Sequence, residues 1–190
     1  RQRQMCIRDR SKFTDVTASN VGSWAADSID FCADNDLVNG KSTYSFAPKD
    51  NLTRGQLVAI LYRAAGSPSV TGTTNPFNDV KTGDYYYNAV LWAYKNDVVN
   101  GTGAGKFSPN ANVTREQIAA ILYRYMGSPA ATGSLSGYSD RSKISSWATT
   151  AMQWAIGKGY ITGTSSTTLD PLGQATRAQA AVMLHRFLTK

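Results

Sequence analysis

Apolar residues recur along this chain with the spacing of helices packed on one face, and the pattern is written three times. Leu57, Ile60, Leu61 and Ala64 are matched by Ile118, Ile121, Leu122 and Tyr125, then by Ala180, Met183, Leu184 and Phe187. Each set stands at i, i+3, i+4 and i+7, the stripe of an amphipathic helix. Three such helices would pack around a common axis. A first helix precedes each one: Ala25, Ile29, Cys32, Ala33; then Tyr86, Val90, Ala93, Tyr94; then Ala148, Met152, Ala155, Ile156. Phe31, Trp92 and Trp154 widen that buried face. The first helices are expected to end near Gly40, Gly101 and Gly163, since glycine suits a helix exit. A hydrophobic plug follows six residues on (Phe46, Phe107, Leu169), and a proline two residues later (Pro48, Pro109, Pro171).

The period dictates the domain organisation. Leu52-Thr53-Arg54-Gly55-Gln56 returns as Val113-Thr114-Arg115-Glu116-Gln117 and as Ala175-Thr176-Arg177-Ala178-Gln179. These arginines lie 61 and 62 residues apart, each fourteen residues after its glycine. Each unit opens on an aromatic and an aspartate: Phe13 and Asp15, Phe77 and Asp79, Tyr138 and Asp140. The chain therefore reads as repeats over 11–70, 71–133 and 134–190, an organisation that overrides a count based on length. The Ser/Thr/Gly-rich stretches at 69–76 and 130–137 read as short flexible linkers.

The shared motif has a structural half and a chemical half. Thr-x-x-Gln is a capping box, in which the Thr hydroxyl and the Gln side chain satisfy each other's backbone N–H groups. Arginine at the first helical position is different, because a cation there opposes the macrodipole by about 0.3–1 kcal/mol. It implies a negative partner. An internal ion pair with Asp15, Asp79 or Asp140 would serve, and so would an acidic ligand gripped by two parallel hydrogen bonds. Neighbouring backbone N–H groups would add to such an anion site. Trp24, Tyr85 and Trp147 share one place at the start of the first helix. Aromatic faces beside polar grooves are surfaces on which sugar rings stack, although core packing is their more ordinary use.

Charge and composition narrow the alternatives. Of the formal net charge of +7, residues 1–10 contribute +3 (four Arg against one Asp), which leaves +4 for the repeats. That leader has no counterpart elsewhere and reads as a tag, an artefact or an unrelated segment. The sequence opens on Arg, and any targeting segment is expected outside it. No run approaches the roughly 18 apolar residues of a membrane span. Cys6 lies in the leader, and Cys32 stands where the other repeats have Ala93 and Ala155, so it reads as a small packing residue. The chain reads as non-catalytic: no nucleophile–base pair and no metal-spaced cluster stands out, and no cofactor is called for. His185, the single histidine, aligns with Tyr62 and Tyr123 and reads as a half-buried helix position. Gly101–Lys106 lacks the P-loop pattern and reads as a turn. The sequons at Asn51, Asn100 and Asn112 read as chance. Nucleic-acid binding would suit the charge, but basic residues do not gather on one helix.

With these motifs in register, the chain resembles S-layer homology domains over about residues 13–188. The resemblance implies an all-α, three-lobed, pseudo-threefold assembly of helix–loop–helix repeats around a central three-helix bundle. It implies extracellular anchoring to secondary cell-wall polysaccharide, with a pyruvate ketal carboxylate meeting Arg54, Arg115 and Arg177 in grooves between repeats. Asp15, Asp79 and Asp140 would order the groove or bond sugar hydroxyls, with Trp24, Tyr85, Trp147, Gly40, Gly101 and Gly163 alongside. No nucleic acid and no membrane insertion are implied. The alternative is a protein–protein or surface-layer scaffold without glycan binding. The sequence departs from the family pattern in carrying Gln for the usual Glu, Arg141 after the third aspartate, and Ala175 at a place held by Leu52 and Val113. The third groove is therefore expected to be altered or inactive.

Overall fold

Three capping boxes start the three second helices. The hydroxyls of Thr53, Thr114 and Thr176 accept from the N–H groups of Gln56, Gln117 and Gln179, whose side chains accept from the Thr N–H in return. The computed structural model describes residues 11–17 and 19–190, without the side chain of Ser23. The leader at 1–10, with Cys6 and the tag or artefact reading, lies outside the described residues. The helices are α1 Ser23–Asp34, α2 Arg54–Ala64, α3 Tyr87–Lys95, α4 Arg115–Tyr125, α5 Thr149–Gly157 and α6 Arg177–Thr189. Short 3-10 turns at Arg141–Lys143 and Ser146–Ala148 precede α5. Among the described residues the only β pairing is isolated bridges, so the chain is all-α.

The first helices stop earlier than the glycines suggest. Asp36, Asp97 and Gly159 are left-handed, with φ of 55°, 56° and 68°, and turn the chain out of the helix. The buried pairs Leu37–Val38, Val98–Val99 and Tyr160–Ile161 follow, pulling the exit into the core. The predicted apolar stripes are buried along most of their length, with Ala64, Tyr125 and Ile156 half-buried at their ends and Tyr94 exposed, edge-on to Phe77 at 5.3 Å between ring centroids. The linkers are less free than their composition suggests. Leu135 is buried, and the backbone of Gly133 presses against Gln153 and Gly157 so closely that no Cβ would fit.

Helix packing crosses the repeat boundaries. The extensive contacts join α3 to α2, α5 to α4, and α1 to α6, so each first helix lies on the second helix of the preceding repeat. No two second helices share a comparable interface among the described residues. Where the three second helices begin, the repeats are joined by a ring of three backbone hydrogen bonds. Leu52 N–H donates to Ala175 O at 2.9 Å, Ala175 N–H to Val113 O at 3.0 Å, and Val113 N–H to Leu52 O at 2.9 Å. All three residues are buried, so these bonds are shielded from water. The contacts thus close into a cycle in which every repeat leans on the next.

Candidate binding grooves

The plug loops are built by the leading aspartates. The Asp15 carboxylate accepts from the N–H groups of Phe46 and Ala47, each at 2.8 Å, and from the Ser45 hydroxyl. Asp79 does the same for Phe107 and Ser108, and Asp140 for Leu169 and Asp170. Two successive N–H groups converge on one carboxylate only if the second residue is left-handed, forming an anion-binding nest. Ala47, Ser108 and Asp170 have φ of 56°, 58° and 51°. Burial works to raise each carboxyl, but the backbone donors outweigh it and hold all three below the ordinary 3.8.

Each motif arginine grips the next repeat's loop from the other side. Arg54 donates from Nε to Phe107 O at 3.0 Å and from Nη2 to Asn100 O at 3.3 Å. Arg115 bonds Leu169 O and Thr162 O at 2.7 and 2.6 Å. Arg177 bonds Phe46 O and Asn39 O at 2.8 and 2.9 Å. The partners are carbonyl dipoles, so the ion pairs with Asp15, Asp79 and Asp140 are not formed. The helix N-termini are closed as well: Arg54 N–H goes to Ala111 O and Gly55 N–H to Pro109 O, with the same pattern at α4 and α6. The expected backbone anion site is therefore spent on the protein itself.

One edge of each guanidinium remains. Arg54, Arg115 and Arg177 are only 7%, 4% and 6% exposed. Their Nη1 atoms nevertheless have no acceptor among the described residues. The one sealed, unpartnered side-chain N or O among the described residues is the Thr73 hydroxyl, so each Nη1 reaches solvent.

These edges look into three grooves of one design. Arg177 shares its groove with Gly40, Gln56, Arg63 and Tyr85. Arg54 shares one with Gly101, Gln117, Arg124 and Trp147. Arg115 shares one with Gly163, Gln179, Arg186 and Trp24. Each groove thus takes its motif arginine from one repeat, its glycine and second helix from the next, and its aromatic from the third. The volumes are about 300, 380 and 310 Å³, at the small end of ligand sites. Tyr85, Trp147 and Trp24 are 65%, 53% and 56% exposed, which rules out the core role. The leading aspartates do not line the grooves; they shape the loops beneath. At each turn glycine a Cβ would collide with the loop, lying 2.6 Å from Lys106 O at Gly101.

Sequence reasoning missed the second arginines, Arg63, Arg124 and Arg186. The signal was present: each stands nine residues after a motif arginine. Nine residues are two and a half helical turns, so the two arginines of one helix serve opposite grooves.

The S-layer homology domain model matches the chain at residues 12–58, 76–119 and 137–181. The chain belongs to the S-layer homology family. It is 32% identical over 88% of its length to an amylopullulanase of Thermoanaerobacterium thermosulfurigenes, of which it covers 9%. It is 31% identical over 92% of its length to the exoglucanase XynX of Acetivibrio thermocellus, covering 16% of it. A surface-layer 125 kDa protein of Lysinibacillus sphaericus is 28% identical over 88% of the chain, which covers 14% of that protein. The chain thus spans less than a fifth of these relatives.

The departures from the S-layer homology pattern leave the groove plan in place. Gln completes every capping box. Arg141 is exposed and turns onto the carbonyls of Ser136 and Tyr138. Ala175 closes the central ring as Leu52 and Val113 do. His185 is half-buried, stacked on Phe31 at 4.2 Å with its Nδ1 2.9 Å from the Ser28 hydroxyl. Among the described residues no group of His, Cys, Asp or Glu could hold a metal, and no helix is long and apolar enough to cross a membrane.

Proposed function

We propose that this S-layer homology module is a non-catalytic extracellular anchor that holds its parent protein to cell-wall polysaccharide bearing carboxylate groups, with a pyruvate ketal as the preferred acid. The carrying observation is the repeated meeting of an open arginine edge, a second arginine and an exposed aromatic in one groove. A carboxylate accepts paired hydrogen bonds from guanidinium, and the apolar face of the attached sugar stacks on the indole or phenol. Two relatives named as glycan-degrading enzymes and one named as a surface-layer protein share the module, which fits an address separate from the reaction. The paired arginines are divided among three grooves, an arrangement unlike one continuous nucleic-acid face.

The test is retention on purified cell-wall polysaccharide before and after removal of its pyruvyl groups. Retention that falls on depyruvylation, and falls again in a Trp24→Ala, Tyr85→Ala, Trp147→Ala triple variant, supports the reading. Equal retention in every arm overturns it and favours surface-layer scaffolding.

A further inference from the structure

The three grooves share one plan, but the protein occupies their cations unequally. Arg63 donates from Nη1 to Leu37 O at 3.0 Å, and Arg186 from Nη1 to the Thr162 hydroxyl at 3.2 Å. Arg124, at the same place in the Gly101 groove, is half-buried and has no acceptor among the described residues. It lines this groove together with Arg54, whose Nη1 is also open. No carboxylate lines the groove between them.

The surrounding charges follow the same order. Burial, then the Arg124 charge, lowers the Arg54 guanidinium, and Asp79 alone pulls the other way. Burial also lowers Arg177, but Asp50, Tyr85 and Asp15 all oppose it; at Arg115 the opposing groups are Asp170 and Asp140. The Gly101 groove therefore holds two guanidinium groups in a weakly compensated field. Like charges at such a site repel until an anion enters. A carboxylate has two oxygens with about four acceptor positions, enough to receive donors from two arginines at once.

We infer that the Gly101 groove is the dominant acid-binding site of the module, where one carboxylate bridges Nη1 of Arg54 and the guanidinium of Arg124 while its sugar stacks on Trp147. The Gly40 and Gly163 grooves, whose second arginines are already engaged by the protein, bind the same group more weakly. This rests on the reading of the grooves as acidic-glycan sites, and it adds a rank order and a second arginine contact. It also gives Arg124 a role beyond its weakly favourable place in the last turn of α4, since its head group has no acceptor among the described residues.

The probe is a methyl hexopyranoside carrying a pyruvate ketal, with its carboxyl methyl ester as control. Binding is followed by calorimetry and by arginine side-chain NMR in the folded full chain. The wild type is expected to show one strong site for the acid, with Arg54 and Arg124 signals shifting together. Arg124→Met weakens that site about tenfold or more, the loss of a charge-assisted pair. Arg63→Met and Arg186→Met leave it within about threefold, as independent sites do. Because Arg124 has no acceptor among the described residues and only its place in the last turn of α4 to lose, its variant is expected to melt close to the wild-type temperature. An unchanged strong site in Arg124→Met, or one that follows Arg63→Met or Arg186→Met, overturns the inference while leaving the groove reading intact. Equal binding of acid and ester by the wild type, or no binding of either, overturns both.

Discussion

Asp79 and Arg54, from neighbouring repeats, hold opposite ends of one residue: the Asp79 carboxylate takes the Phe107 N–H at 2.8 Å, and Arg54 Nε–H donates to the Phe107 carbonyl at 3.0 Å. The same clamp recurs at Leu169 between Asp140 and Arg115, and at Phe46 between Asp15 and Arg177. The charged residues that read as a possible ion pair are thus joined through a peptide unit. The chain uses them to fasten each plug to the preceding helix.

Removing a motif arginine should first be felt as a loss of stability. Arg115→Ala leaves the carbonyls of Leu169 and Thr162 without donors, at about 1–3 kcal/mol for each orphaned group. Urea denaturation followed by circular dichroism measures the change. A midpoint equal to wild type would refute the clamp. Glycan-binding loss in arginine variants therefore needs a parallel stability measurement, which the Arg124 and aromatic variants avoid.

The aspartate nests set an acid limit. Their carboxyls are held below the ordinary 3.8 in the folded chain. The stabilisation is therefore full above that value and is lost as pH falls through the lower, folded value. Stability should be level from about pH 5 to 7 and fall steeply below pH 4. Asp79→Asn should reduce stability at neutral pH by about 1.5–3 kcal/mol and make the acid fall shallower. Thermal melts across pH distinguish this from an unlinked loss, which would keep the wild-type slope.

Gly101→Ala tests whether the turn glycines are steric. The new Cβ would meet Lys106 O at 2.6 Å and the Phe77 ring at 3.0 Å. Neither a backbone carbonyl nor a buried ring can swing aside, so the expected loss is about 1–3 kcal/mol. Retention on polysaccharide should fall in the same variant, because the groove wall moves. A fully stable Gly101→Ala protein would show that the loop has slack.

Trp147→Ala should separate binding from folding in the other direction. The side chain is more than half exposed, so stability should change by no more than about 0.5 kcal/mol. Loss of the stacking face should weaken sugar binding by about 0.5–1.5 kcal/mol. Calorimetry on wild type and variant gives both quantities.

Cys32 offers a reporter. Burial pushes its thiol up to about 12, and its Sγ lies against Ala181 O across the α1–α6 contact. At pH 8 the thiol is protonated and unreactive. Alkylation by iodoacetamide, read by peptide mass mapping, should leave Cys32 unmodified until urea opens the seam. Rapid labelling of the native protein would contradict that packing.

How much of this was legible in the sequence depends on whether a feature is local. The capping boxes of Thr53, Thr114 and Thr176 are written within four residues, so they were readable. The stripe Leu57, Ile60 and Leu61 named a buried face correctly but not the helix that covers it, because period fixes orientation and not partner. The exit at Asp36 was missed because a left-handed aspartate looks like any polar residue, while the later glycine draws attention. The groove residues were mostly found through their threefold recurrence. Their assignment to one repeat each was not, since Arg54 acts on a loop 53 residues away, at Phe107. Arg124 was invisible for a different reason: its interest lies in the acceptors it lacks.

The pairing of α1 with α6 gives the module a mechanical character. In the other two helix pairs the partners are near neighbours along the chain, whereas this seam alone among the described helix pairs joins distant segments. Tension transmitted from a flanking region would load the seam holding Ser28, Phe31, Cys32 and His185 before the inner pairs. Since every groove draws on all three repeats, yielding at that one seam would disturb all three grooves together.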